Sequence, residues 1–293
     1  MTYRFTFTAM ACPCELVLEA ESDAAADQHA QRAMTEVRRI EHKYSRYRED
    51  SVVSSIHRAA GQGWVDCDAE TLALLAFAEQ MHQQSGGLFD ITSGVLRRAW
   101  RFDEARLPDP ADVQALLPLI GWHRVQRRAQ AVRLPQPGME LDFGGFGKEY
   151  AADRAAATLQ ASGVAHGYVN LGGDVRLVGP RPDGSAWVMG IQHPREPERV
   201  LATQQLQQGA LATSGDYERC MVVQGQHYGH LLHPGTGWPV KHWQSVSVTA
   251  PQAVLAGCIS TIAMLKEGDG LAFLQASGCR FLAVDAAGQI HHN

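Results

Sequence analysis

Short alternating stretches closed by glycine turns, interrupted by only a few helical runs, restrict this chain more than any other feature. Tyr3, Phe5 and Phe7 alternate with Arg4, Thr6 and Thr8, which predicts a strand with one apolar face over about residues 3–9. Further strands are predicted at 14–20, from Gly167 to Val178, from Trp187 to Gln192, and around 200–212, 218–224, 228–232 and 244–250. Helices are predicted over 23–43, 68–84, 110–118, 149–161 and 251–265, with a last helix and strand in 269–290 and a small hairpin near 123–134. Many of these strands are joined by turns too short to hold a crossover helix. The expected class is therefore α+β, with mixed or antiparallel sheets and packed helices, rather than a doubly wound parallel sheet. One unit over residues 1–293, in one or two lobes, is expected.

Composition narrows the function classes. With 45% hydrophobic residues in 293, the chain can build a sizeable core. Its formal charge of -5 gives no global basic field, so nucleic acid is not an expected partner. Arg124, Arg127 and Arg128 are expected on a solvated turn and strand edge. No window reaches the roughly 18 apolar residues of a membrane span, and the first residues lack a signal-type apolar run, so the expected location is cytoplasmic. The six cysteines should then be free thiols. Cys12 and Cys14 share a strand face, as a metal or redox pair or as structural thiols.

Chemistry concentrates where glycine does. Leu141-Asp142-Phe143-Gly144-Gly145-Phe146-Gly147-Lys148-Glu149-Tyr150 runs directly into a helix. Glycines let the backbone approach a ligand closely, and a helix N-terminus offers unpaired amides to an anion. Lys148 adds a positive charge suited to phosphate. A plain strand-to-helix turn is the alternative; the spacing is neither a P-loop nor a Rossmann fingerprint. Tyr168 to Asp174 is a strand entering a second glycine turn, Ala212 to Tyr217 is rich in small polar residues, and His230 stands before a Pro/Gly turn at 234–237.

Taken in order, these segments resemble the flavin-transferase family often called ApbE, across nearly the whole chain. Met10 before a Cys/Pro pair is similar to the family's opening motif, and Tyr44-Ser45-Arg46-Tyr47 with Ser51 and Ser54 to its next. Gly87-Leu88-Phe89-Asp90-Ile91-Thr92-Ser93-Gly94, the Asp142–Tyr150 loop, Asn170-Leu171-Gly172-Gly173, Ala212-Thr213-Ser214-Gly215-Asp216-Tyr217 and His230 to Gly237 follow in family order. The resemblance implies an enzyme that binds FAD and, with Mg²⁺, transfers FMN to a serine or threonine of a target protein, releasing AMP. It places the flavin nucleotide, in a cleft between glycine loop and sheet, on Met10, Tyr47, Leu88, Phe89, Asp90, Asp142, Lys148 and Leu231. It implies His230 as general base and Gly145, Ser260 and Thr261 as metal ligands. For Tyr47 and Phe89 the alternative is core packing, and for 257, 260 and 261 a small-residue face for close helix contact.

Three positions depart from the family pattern. Gly257 stands where a metal-ligating aspartate is expected, Glu149 where a glycine follows the lysine, and His233 where an acidic or amide residue precedes the proline. No carboxylate in the matched motifs is expected to replace the one missing at 257, and the two histidines suggest a softer metal, or none. Gly257→Asp is accordingly expected to raise metal-dependent turnover if the pocket is otherwise intact. The alternative functions are an FAD-binding protein impaired in catalysis, or an FAD pyrophosphatase.

Overall fold

A computed structural model describes residues 1–104 and 106–293. Strands β1 (Thr2–Ala9) and β2 (Cys12–Glu19) form a hairpin, followed by helix α1 (Asp23–Tyr44). Helix α2 (Val52–Arg58) and strand β3 (Val65–Asp66) precede helix α3 (Ala69–Ser85). Helix α4 (Pro110–Leu116), strands β4 (Gln126–Arg128) and β5 (Ala131–Arg133), and helix α5 (Gly147–Ala161) come next. The second half brings β6 (Gly167–Leu171), β7 (Asp174–Gly179), β8 (Trp187–Gln192), β9 (Val200–Leu206) and β10 (Ala210–Gly215). It continues with β11 (Cys220–Val223), β12 (Gln226–Gly229), β13 (Trp243–Ala250), helices α6 (Ala253–Leu265) and α7 (Gly270–Ala276), and strands β14 (Arg280–Asp285) and β15 (Ile290–His292).

Eight strands make one sheet in the order β1-β2-β6-β7-β10-β13-β14-β15, and every pair in it is antiparallel. The expected α+β class with antiparallel sheets therefore holds. Helices α1, α5 and α6 lie on one face, with α5 against β7 and α6 against β10 and β13. The other face packs Val17, Tyr168, Val175 and Leu177 against Trp187, Met189 and Ile191 of the β8–β9 hairpin. Helix α6 is buried along nearly its whole length, which is why its sequence is apolar all round rather than in a stripe.

Local chemistry explains most element ends. Ser22 and Asp68 accept hydrogen bonds from Ala25 N and Thr71 N and so cap α1 and α3, while Gly86 closes α3 at φ 70°, the left-handed conformation glycine adopts freely. Helix α6 has no cap of its own. Its first amides, on Ala253 and Val254, each donate at 2.9 Å to the carboxylate of Asp153 on α5, which joins the two helices that frame the site below.

The glycine turn expected after Tyr168 divides the 167–178 stretch into two strands, because Gly172 and Gly173 at φ 59° and 96° reverse the chain between β6 and β7. The predicted strand at 228–232 ends at Gly229; beyond it Leu232 makes only an isolated bridge to Pro239. Helix α2 is not visible in the hydrophobic pattern, since Val52 and Val53 are β-branched and weak helix formers. Tertiary burial of Val53 and Ile56, with Ser51 accepting from Ser54 N, forms it. Arg124, Arg127 and Arg128 do not form a free basic patch. Arg124 donates to the carbonyls of Pro118 and Ile120, Arg127 pairs with Glu79, and Arg128 stacks over Trp64. No helix among the described residues is long and apolar enough to cross a membrane.

Candidate active site

The glycine loop is fixed from behind before it meets any ligand. Arg46 donates to Gly94 O at 2.8 Å, to Asp142 at 2.9 Å and to Glu140 at 2.5 Å, so one guanidinium ties three sequence motifs together. A side chain at Gly94 would lie 2.4 Å from Asp142 Cβ, which explains a glycine there. Burial works against the charge on Asp142, but Arg46, Arg97 and the Gly144 amide hold its carboxyl below the usual range. Phe89 is buried and packs beneath the loop, its ring 3.2 Å from where a Cβ on Gly145 would be. Asp90 is buried as well; it accepts from Thr92 N and Oγ1 and from Trp122 N at 2.8, 2.6 and 2.9 Å. The side chains of Phe89 and Asp90 are thus engaged within the protein, as the core-packing alternative for Phe89 held. Tyr47 is the opposite case: its side chain is 77% exposed, so the core-packing alternative fails there.

Helix α5 begins at Gly147 with no side-chain cap; the Gly147 amide donates to Phe143 O at 2.6 Å, leaving the amides after it in the first turn to be satisfied by a ligand or solvent. Lys148, in its first turn, forms an ion pair with Asp174 at the start of β7. Although burial opposes it, the carboxylates of Asp174 and Glu149 hold the Lys148 ammonium above its usual pKa. The second oxygen of Asp174 accepts from Thr213 N on β10 at 3.0 Å. Next along β10, Ser214 Oγ lies 2.7 Å from Ser260 Oγ and 2.9 Å from Thr261 Oγ1 on α6. Lys148, Ser214, Ser260 and Thr261, drawn from three separate motifs, therefore share one neighbourhood.

Glu149 also points into this neighbourhood. It is buried with its Oε2 unpartnered, and burial together with the Asp174 carboxylate pushes its pKa up to about 8, Lys148 opposing. His230 is half-buried with an unpartnered Nδ1. Burial, and the cations of Arg97, Arg219 and Lys148 around it, lower its pKa to about 4, so its imidazole is neutral at pH 7. Leu231, Leu88 and Met10 are half-buried. Met10 occupies the two-residue β1–β2 turn with Ala11, at φ 53° and 58°, and its amide donates to Glu41 at 2.5 Å. Cys12 and Cys14 carry sulfurs 3.9 Å apart on one face of β2, Cys14 buried and Cys12 half-buried, both as free thiols.

A model of the ApbE family matches residues 8–283. The chain belongs to the ApbE family. It is 30% identical over 243 residues to a protein of Klebsiella pneumoniae named FAD:protein FMN transferase, covering 81% of this chain and 74% of that one. A Treponema pallidum protein of the same name is 30% identical over 261 residues, covering 81% and 71%. The crystal structure of the ApbE protein of Thermotoga maritima superposes with a TM-score of 0.93 at 30% identity, covering 100% of this chain and 97% of that one.

Within the ApbE family fold, two of the three departures correct expectations drawn from the sequence. His233 is no sign of a softer metal. Its Nδ1 accepts from Gly235 N at 3.1 Å, and its carbonyl accepts from Gly237 N at 2.8 Å, so the imidazole stabilises the Pro/Gly turn as a short acidic or amide side chain would. Among the described residues no group of three His, Cys, Asp or Glu side chains is placed to hold a metal. The space beside position 257 is also not empty, as the missing carboxylate had suggested. An ideal Cβ on Gly257 would lie 2.7 Å from both Cγ and Oε1 of Glu149, so the Glu149 side chain fills the volume that a residue at 257 would use. The single change Gly257→Asp therefore meets an occupied space, so the intact pocket on which the expected gain in turnover depended is not there. Sequence reasoning noted Glu149 and Gly257 as separate departures; their coincidence was the available signal. Asp174, Ser214, Arg46 and Arg97 carried no site assignment.

Proposed function

We propose that this chain is an FAD:protein FMN transferase, moving FMN from FAD to a serine or threonine of a target protein with release of AMP. The carrying observation is the meeting of two complementary electrostatic sides at one spot. Lys148, Arg97 and Arg219 with the uncapped start of α5 suit a pyrophosphate, while the oxygens of Ser214, Ser260 and Thr261 suit a hard cation. Likeness to relatives carrying that name, at 30% identity over most of the chain, supports the same reading.

The flavin nucleotide is assigned to Met10, Tyr47, Leu88, Phe89, Asp90, Asp142, Lys148 and Leu231. The exposed Tyr47 ring offers a flat surface for an isoalloxazine, whereas Phe89 and Asp90 act by shaping the loop. Mg²⁺ is assigned to Ser260, Thr261 and the Gly145 carbonyl; when bound it would offset the charge on the pyrophosphate. In the reaction, the acceptor hydroxyl oxygen bonds to the FMN phosphorus and the bond to the AMP phosphate breaks. AMP leaves with the electron pair, and the hydroxyl proton passes to the neutral imidazole of His230, whose Nδ1 is unpartnered. Residues 1–293 act as one unit in this reading, in a cytoplasmic setting. A non-catalytic FAD carrier was favoured by the missing carboxylate, and the position of Glu149 withdraws that support.

The test is chromatographic. Purified protein, FAD and Mg²⁺ are mixed with or without a peptide bearing serine or threonine. AMP and peptide-bound flavin should appear together, and His230→Ala should lower their rate by roughly 10²–10⁴-fold. AMP with free FMN would make the protein a pyrophosphatase, and intact FAD with every acceptor and divalent metal would sink the transferase reading.

A further inference from the structure

We propose that Glu149, reaching from α5 to Gly257 on α6, is the carboxylate ligand of a divalent-cation site completed by the hydroxyls of Ser260 and Thr261. Gly257, Ser260 and Thr261 lie at i, i+3 and i+4 and so share one face of α6. The carboxyl of Glu149 stands over that face: its Oε1 is 2.7 Å and its Cδ 2.9 Å from the position a Cβ on Gly257 would take. An aspartate on α6 and a glutamate on α5 are thus alternative ways to bring one carboxylate to one place, and each excludes the other.

The state of that carboxyl points to a ligand. Glu149 is 7% exposed, and its Oε2 is buried with no hydrogen-bond partner. A buried oxygen left unpaired costs roughly 1–3 kcal/mol, more when charged, and native proteins keep few of them. Lys148 forms its ion pair with Asp174, whose other oxygen accepts from Thr213 N, and neither closes on Glu149 Oε2. A divalent ion would supply the missing partner. The donors around it are carboxylate and hydroxyl oxygens, without a cluster of histidine or thiolate, which selects Mg²⁺ or Mn²⁺ over Zn²⁺. One carboxylate and two hydroxyls leave coordination positions for water or phosphate, as Mg²⁺ prefers.

The role of the cation rests on the transferase reading, but its binding is measured without FAD or acceptor, so the two fail separately. Mn²⁺ alone is titrated into metal-free protein, and free Mn²⁺ is followed by electron paramagnetic resonance. Wild type should bind about one equivalent, and Glu149→Gln, of nearly the same shape, should bind it roughly tenfold or more weakly. The double variant Glu149→Gly/Gly257→Asp, which returns the carboxylate from the other helix, should bind again; it decides the matter if Glu149→Gln does not fold. Equal Mn²⁺ binding by wild type and Glu149→Gln would overturn the proposal. So would a folded double variant that takes up no Mn²⁺, or a wild type that takes up none.

Discussion

Gly257→Asp is expected to destabilise the protein by on the order of 3–5 kcal/mol and to lower FMN transfer rather than raise it. The new Cβ would fall 2.7 Å from Glu149 Cγ and Oε1, so the Glu149 side chain would have to leave its buried position to make room. Overpacking is compounded by charge, since a second carboxylate would enter a site that already holds Glu149 and Asp174 with one paired lysine. Adding Glu149→Gly removes both the overlap and the like charge, so the double variant should regain most of the lost stability. Denaturant midpoints of wild type, both single variants and the double variant measure this. Strict additivity of the two single changes would show that the side chains do not compete for one volume.

Lys148→Met is expected to cost a similar amount, about 3–5 kcal/mol, because it strands Asp174 without its cation at 2% exposure. The methionine keeps most of the aliphatic volume, so the loss reports charge rather than packing. Asp174→Asn in the same chain should restore a good part of the stability but none of the affinity for FAD. The stability deficit and the ligand deficit would thereby separate: one comes from an unpaired buried carboxylate, the other from a missing positive charge at the phosphate. If Lys148→Met melts like wild type, the Lys148–Asp174 pair is not the anchor described above. If it still binds FAD with wild-type affinity, the phosphate role of Lys148 is wrong.

Much of this protein was legible in the chain alone, wherever structure follows from neighbours in sequence. The alternation of Tyr3, Phe5 and Phe7 is a local preference, and the strand it predicts and the helices predicted over 23–43 and 68–84 lie within a few residues of those formed. The order of the glycine and small-residue motifs was enough for the family. Helix α2 escaped because its formation depends on burying Val53 and Ile56 in a core assembled elsewhere. Tyr47 and Phe89, two aromatics with the same local reading, were parted by the fold into an exposed ring and a buried one. Asp90 and His233 proved to hold turns together, which depends on amides that no spacing rule identifies.

The pairing of Glu149 with Gly257 is where tertiary structure had the last word. In sequence the two departures stand on different helices and read as two losses. In space Glu149 fills the volume left by Gly257, because Asp153 holds α5 and α6 side by side. Local propensity acts over a few residues and sets which helices and turns form. The occupancy of a shared cavity depends on side chains brought together only by packing, and only the folded chain decides it.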